Sequence, residues 1–273
     1  MIPALFDYVR AGSAEEAVSL ISQHGDEAKF LAGGHSLLPL MKLRLAAPSV
    51  LVDLGRIKDL SYIREGGGHI AIGAMTRHHD VQHSGLLATA NPLLAHAAGH
   101  VGDPQVRHRG TIGGSLAHAD AASDLPAVAV AMDAQLVVQG PNGKRTIAAR
   151  DFYHGFLESA LAADEMLLEI QVPNLTGGTW SFQKFNRRAQ DWAIVGVAAY
   201  KHNGTAGIGL VNMGSTPIYA AASSAAAASG ASAGDAADLA VTEAEPQADL
   251  NASVAYRTHL AKVLVRRALE EAA

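Results

Sequence analysis

Cysteine is absent from all 273 residues. That excludes disulfides, thiolate catalysis and any cysteine-ligated iron–sulfur cluster on this chain, so iron–sulfur relays, if electrons move here, lie elsewhere. Aromatic residues make up only 5%, and the core must be built from Val, Leu, Ile and Ala. Lys and Arg number 21 against 26 Asp and Glu, a formal charge of -5. The basic pairs Arg107/Arg109, Arg187/Arg188 and Arg266/Arg267 are too short for the basic face that nucleic acid requires. No apolar run approaches the ~18 residues of a membrane span. The opening Met1-Ile2-Pro3-Ala4-Leu5-Phe6-Asp7 lacks the basic and long apolar parts of an export signal. A soluble, cytoplasmic protein with no transmembrane segment is expected, in which the sequons at Asn174, Asn203 and Asn251 are chance matches.

Several catalytic signatures are missing as well. The one Gly-x-Gly-x-x-Ala match, Gly66 to Ala71, leads into a strand instead of a helix and reads as a hairpin turn. Gly140-Pro141-Asn142-Gly143-Lys144-Arg145 fails the Walker spacing, and no Gly-x-Ser-x-Gly is present. His96 and His100 share a helical face, yet Ala97-Ala98-Gly99 between them supplies no carboxylate, which favours hydrogen-bonding histidines over a metal site. His78-His79 cannot share one face and carries less weight still.

What is present is a chain that is 49% hydrophobic, enough for one large domain or two modest ones. Ser13 and Glu16 form a capping box for a helix over 13–23. Ala28 to Leu31 and Ser49 to Asp53 read as strands closing a small βαβ-like unit near residue 54. Helices are expected over 76–84 and 91–100, the latter with Asn91-Pro92 at its start, and over 125–132. Strands are expected at 69–73, 135–139 and 166–173. Farther on, 181–185, 193–202 and 205–214 form a three-stranded antiparallel sheet turned by Asn203-Gly204. Ala220 to Ala240 has a linker-like composition, but its alanine favours short helices broken at Gly230 and Gly234. A final amphipathic helix over 251–269 places Tyr256, Leu260, Val263, Leu264 and Ala268 on one stripe.

Two glycine pairs stand out, in Ala32-Gly33-Gly34-His35-Ser36 and Thr111-Ile112-Gly113-Gly114-Ser115. Consecutive glycines let backbone wrap an anionic ligand, and each stretch ends in a hydroxyl able to donate to phosphate or ribose oxygens. Together they point to one phosphate-bearing cofactor held by two loops. Asp124 follows the second, where a carboxylate avoids phosphate and accepts from a ribose or flavin edge.

Across nearly its whole length the chain resembles the FAD-binding medium subunits of the molybdenum hydroxylase (xanthine dehydrogenase) family, most closely the carbon monoxide dehydrogenase branch. The resemblance rests on Ala32 to Leu45, Arg107 to Pro126, Lys184 to Arg188 with Asp191-Trp192-Ala193, and Tyr256 to Leu260. It implies an α+β, vanillyl-alcohol oxidase-type FAD fold over 1–176 with subdomains 1–54 and 55–176. A C-terminal domain follows over 177–273, with a sheet over 180–214 and helices over 219–272. The resemblance also implies that Ala32, Gly33, Gly34, His35 and Ser36, with Thr111, Ile112, Gly113, Gly114 and Ser115, bind the FAD pyrophosphate through backbone N–H groups. Leu37, Val101 and Leu167 join the cofactor site, Asp124 and Lys184 contact polar parts of FAD, and Trp192 lies near the isoalloxazine or in the core. No metal ligand and no general acid are assigned to this chain. The family's assembly adds a small subunit with [2Fe-2S] clusters and a large molybdopterin subunit, commonly as a dimer of heterotrimers. Electrons would reach FAD from the clusters and pass to an external acceptor, with a non-nicotinamide acceptor such as a quinone favoured. The substrate is chosen on the molybdenum chain. A self-contained vanillyl-alcohol oxidase-type flavin oxidase is the alternative enzyme, although the chain is too short for that type's large substrate domain. A non-catalytic nucleotide-binding scaffold is the alternative from another class.

Overall fold

A computed structural model describes residues 2–273. The first sheet is wholly parallel, in the order β1 (Asp7–Arg10), β3 (Val50–Asp53), β2 (Ala28–Leu31). Helix α1 (Ala14–His24) connects β1 to β2. Ser13 Oγ accepts from the Glu16 N–H at 3.1 Å, and the Glu16 carboxylate reaches back to the Gly12 N–H at 2.7 Å, one residue beyond the expected capping partner. Helix α2 (Leu37–Leu43) links β2 to β3. β1 was not apparent in the sequence. Its four residues are mostly exposed, and pairing with the buried Val-Leu-Val of β3 defines it.

The second sheet is antiparallel, in the order β4 (Ile63–Glu65), β5 (His69–Gly73), β10 (Met166–Pro173), β6 (Gln135–Gly140), β7 (Gly143–Ala148). Alternation along β10 sends neighbouring side chains to different cores, and a register shift falls between Leu167 and Glu169. Leu167 joins the core beneath this sheet, whereas Leu168 joins that of the first sheet. Between β5 and β6 run α3 (His78–Gln82), α4 (Gly85–Ala90), α5 (Pro92–Gly99), α6 (Pro104–Arg109), α7 (Ile112–His118) and α8 (Asp124–Met132). Asn91 caps α5 as expected, its Oδ1 accepting from the Leu94 N–H at 3.1 Å. The helix expected to open at Thr76 begins at His78, because the Thr76 hydroxyl is engaged by the backbone of Tyr62. It also breaks at Ser84, which caps α4. A two-stranded ribbon of β8 (Tyr153–Gly155) and β9 (Glu158–Ser159) precedes β10.

In the third sheet β11 (Thr179–Phe185), β12 (Val195–His202) and β13 (Thr205–Val211) pair antiparallel, and a two-residue strand, β14 (Ile218–Tyr219), extends the edge. Asn203 and Gly204 both take positive φ, 48° and 74°, as the tight turn demands. Helices α9 (Ala221–Ala228) and α10 (Ala233–Asp238) are broken at Gly230 (φ 82°), but Gly234 lies inside α10, where Ser232 supplies the cap. Helix α11 (Val254–Glu271) buries Arg257, Leu260, Ala261, Leu264, Val265, Ala268 and Leu269. Tyr256 is exposed, so the buried stripe is rotated from the expected one. The stripe begins at Arg257, whose guanidinium donates to Ile194 O at 2.5 Å and pairs with Asp249 at 2.6 Å. Among the described residues no helix is long and apolar enough to cross a membrane.

Candidate functional site

All three sheets contribute to one cavity of about 670 Å³. Its wall is formed by the loop after β2, the start of α7, the start of α8, residues 159–167, Lys184 on β11 and the β11–β12 loop around Trp192.

The first glycine stretch is an open backbone loop. Gly34 has φ 78°. The N–H groups of Gly33, Gly34, His35, Ser36 and Leu37 have no intrachain acceptor among the described residues. Successive unpaired amides around a left-handed residue form a concave anion nest. Gly33 also permits a close approach: a Cβ there would lie 2.5 Å from Arg109 O and 2.8 Å from the Gly110 Cα.

The second stretch differs from its expected form. Thr111 is the N-cap of α7, and the residues after it are helical. Ile112 N–H donates to Thr76 O at 3.0 Å, Gly113 N–H to Ala74 O at 2.9 Å and Gly114 N–H to Thr111 Oγ1 at 3.1 Å. These amides therefore have intrachain acceptors, unlike those of the first stretch. The glycines serve space instead. A Cβ on Gly113 would meet the Cβ of Ala74 at 2.5 Å, and one on Gly114 would meet Thr111 Oγ1 at 2.7 Å. Ile112 does not line the cavity; it is 1% exposed in the core, where the first helical position directs its side chain.

The other expected residues line this cavity, namely Ala32, His35, Ser36, Leu37, Val101, Thr111, Ser115, Asp124, Leu167, Lys184 and Trp192. Asp124 and Lys184, sixty residues apart, form a buried ion pair at 2.7 Å, and Lys184 Nζ also donates to His100 O at 2.9 Å. Burial pushes the Asp124 carboxyl up to about 6, with the Lys184 ammonium pulling the other way. Asp124 Oδ1 is enclosed without a partner. Asp124 and Lys184 both line the cavity, and the enclosed oxygen is one that the chain itself leaves unsatisfied. Trp192 is 65% exposed, which excludes the core reading and leaves its ring at the cavity mouth.

His78 was undervalued in the sequence. It is 4% exposed and lines the cavity, whereas His79 faces outward. The opposition of their faces, which argued against a shared site, was itself the signal. Burial, then the positive charges of Arg77, His35 and Arg107, lower the His78 imidazole to about 4. His96 and His100 sit apart from this site with their Nε2 atoms 3.1 Å from one another. No group of three or more His, Cys, Asp or Glu among the described residues could hold a metal ion.

Fold and cavity define an α+β protein whose three sheets enclose one cavity lined by an open glycine loop and a buried ion pair. Residues 4–175 match the model for the FAD binding domain in molybdopterin dehydrogenase, and residues 180–272 match that for the CO dehydrogenase flavoprotein C-terminal domain. The carbon monoxide dehydrogenase medium chain of Hydrogenophaga pseudoflava is 42% identical, across 100% of this chain and 98% of that protein. The 6-hydroxypseudooxynicotine dehydrogenase complex subunit alpha of Paenarthrobacter nicotinovorans is 39% identical, across 100% and 96%. A solved structure of the Hydrogenophaga pseudoflava carbon monoxide dehydrogenase superposes with a TM-score of 0.95 at 43% identity, covering 100% of this chain and 98% of that one. The chain belongs to the FAD-binding flavoprotein family of the molybdopterin dehydrogenases, the carbon monoxide dehydrogenase medium subunits among them.

Proposed function

We propose that this chain is the FAD-carrying electron-transfer subunit of a molybdenum hydroxylase complex. The observation that carries the reading is the juxtaposition in one cavity of the open amides of 33–37 and the buried Asp124–Lys184 pair. Bound FAD supplies the redox chemistry, taking electrons from iron–sulfur clusters and releasing them to an external acceptor. The residues of this chain hold and orient it. The 33–37 amides receive the pyrophosphate, while Thr111 and Ser115 offer hydroxyls from the facing helix. Gly113 and Gly114 keep the two walls close, and Asp124 takes a donor hydrogen from ribose or flavin. Lys184 neutralises Asp124 and ties it to the His100 carbonyl, fixing the carboxylate against the field of the cofactor's phosphates. Val101, Leu37 and Leu167 exclude water, and Trp192 covers the open side.

In this reading residues 1–176 bind the cofactor, with 1–54 and 55–176 as their two halves, and 177–273 contribute Lys184 and Trp192. A small [2Fe-2S] subunit and a large molybdopterin subunit complete a dimer of heterotrimers in the cytoplasm, and the molybdenum chain selects the substrate. A carbon monoxide dehydrogenase medium chain and a 6-hydroxypseudooxynicotine dehydrogenase subunit alpha, at the near-equal identities of 42% and 39%, support that division of labour. The test is flavin content. The complex purified with its partners should carry the visible flavin absorbance band, and Gly33→Val should remove it by forcing the loop off Arg109 and Gly110. A flavin-free wild-type complex, or full flavin in the variant, would refute the proposal.

A further inference from the structure

His78 Nδ1 is enclosed with no hydrogen-bond partner. Nε2 has no protein partner either, but it is not among the enclosed atoms, so the ring meets the cavity through Nε2. An enclosed N–H without an acceptor is rarer and costlier than an enclosed lone pair. The neutral ring therefore keeps its hydrogen on Nε2 and presents a donor to the cavity. A Cβ added to Gly110 would lie 2.7 Å from His78 Cδ2 and 2.9 Å from Nε2. The Gly110 Cα in turn lies 2.8 Å from where a Cβ on Gly33 would sit. The imidazole edge thus abuts Gly110, and Gly110 abuts the open-amide loop. The backbone locks this arrangement, because His78 N–H donates to Gly110 O at 3.0 Å.

Resting on the FAD reading above, we propose that His78 Nε2–H is a further donor to the anionic phosphates held by the 33–37 loop, so that a neutral imidazole joins the backbone amides and the facing hydroxyls. A neutral donor suits the position. The neighbouring Arg77 and Arg107 donate to Arg109 O and Val101 O, and neither lines the cavity.

The test uses the full chain stripped of flavin, with binding of FAD, ADP and adenosine compared for wild type, His78→Phe and His78→Gln. A hydrogen bond to a charged group predicts that His78→Phe weakens FAD and ADP by about 10-fold or more. Adenosine, lacking phosphate, should be unaffected, and His78→Gln, which restores an N–H, should recover most of the loss. Equal FAD and ADP affinity in wild type and His78→Phe would overturn the inference. So would a loss that extends equally to adenosine or that Gln does not rescue, since either marks a packing role. Failure of the wild type to bind FAD at all would instead overturn the function proposed above.

Discussion

The Asp124–Lys184 pair makes a quantitative prediction. Asp124 titrates at about 6 in the folded chain against an ordinary 3.8, raised by burial despite Lys184. A carboxyl with a raised folded pKa contributes stability that is complete below the unfolded value and is lost as pH rises through the folded one. Ionising it therefore costs the fold roughly 3 kcal/mol in full, about half of it between pH 5 and 8. In Lys184→Met the compensating ammonium is gone and the folded pKa climbs further. The loss of stability with rising pH is then steeper across this window and extends to higher pH than in wild type. Urea unfolding of the flavin-stripped chain at pH 5, 6, 7 and 8 measures both curves. Subtracting the Asp124→Asn curve removes every other titrating group. Identical slopes in wild type and Lys184→Met, or a wild type that gains stability on this axis as pH rises, would refute the coupling.

Other variants probe separate parts of the chain. Arg257→Met leaves Ile194 O and Asn212 O without their donor and should cost about 3 kcal/mol in urea unfolding. Gly204→Ala meets nothing within 4 Å but sits at φ 74°, so thermal unfolding should report a loss of about 1 kcal/mol from backbone strain alone. Gly113→Ala, pressed against Ala74, should cost 1–3 kcal/mol, roughly, and lower flavin content in the purified complex. Trp192→Ala should change apo stability by less than about 0.5 kcal/mol while altering the fluorescence of bound flavin; a large stability loss would return Trp192 to a packing role.

Local signals were legible from the sequence because their physics is local. Ser13 caps α1, Asn91-Pro92 opens α5 and Asn203-Gly204 turns a hairpin within a few residues of one another. The absence of cysteine placed any iron–sulfur relay on another chain. The two glycine pairs named a dinucleotide, and their resemblance to a known family named FAD. Tertiary structure decided what each pair does. At 33–37 no neighbour takes the amides, whereas at 112–114 Thr76, Ala74 and Thr111 consume them. The same composition therefore yields a nest in one place and a close-packed helix start in the other. The pairing of Asp124 with Lys184, the burial of His78 beside Gly110, the turn of Ile112 into the core and the use of Arg257 as an interior tie were likewise settled in the folded chain. Whether a polar group is satisfied, buried or left facing a ligand depends on residues brought close by the sheets, and periodicity along the chain carries no record of those partners.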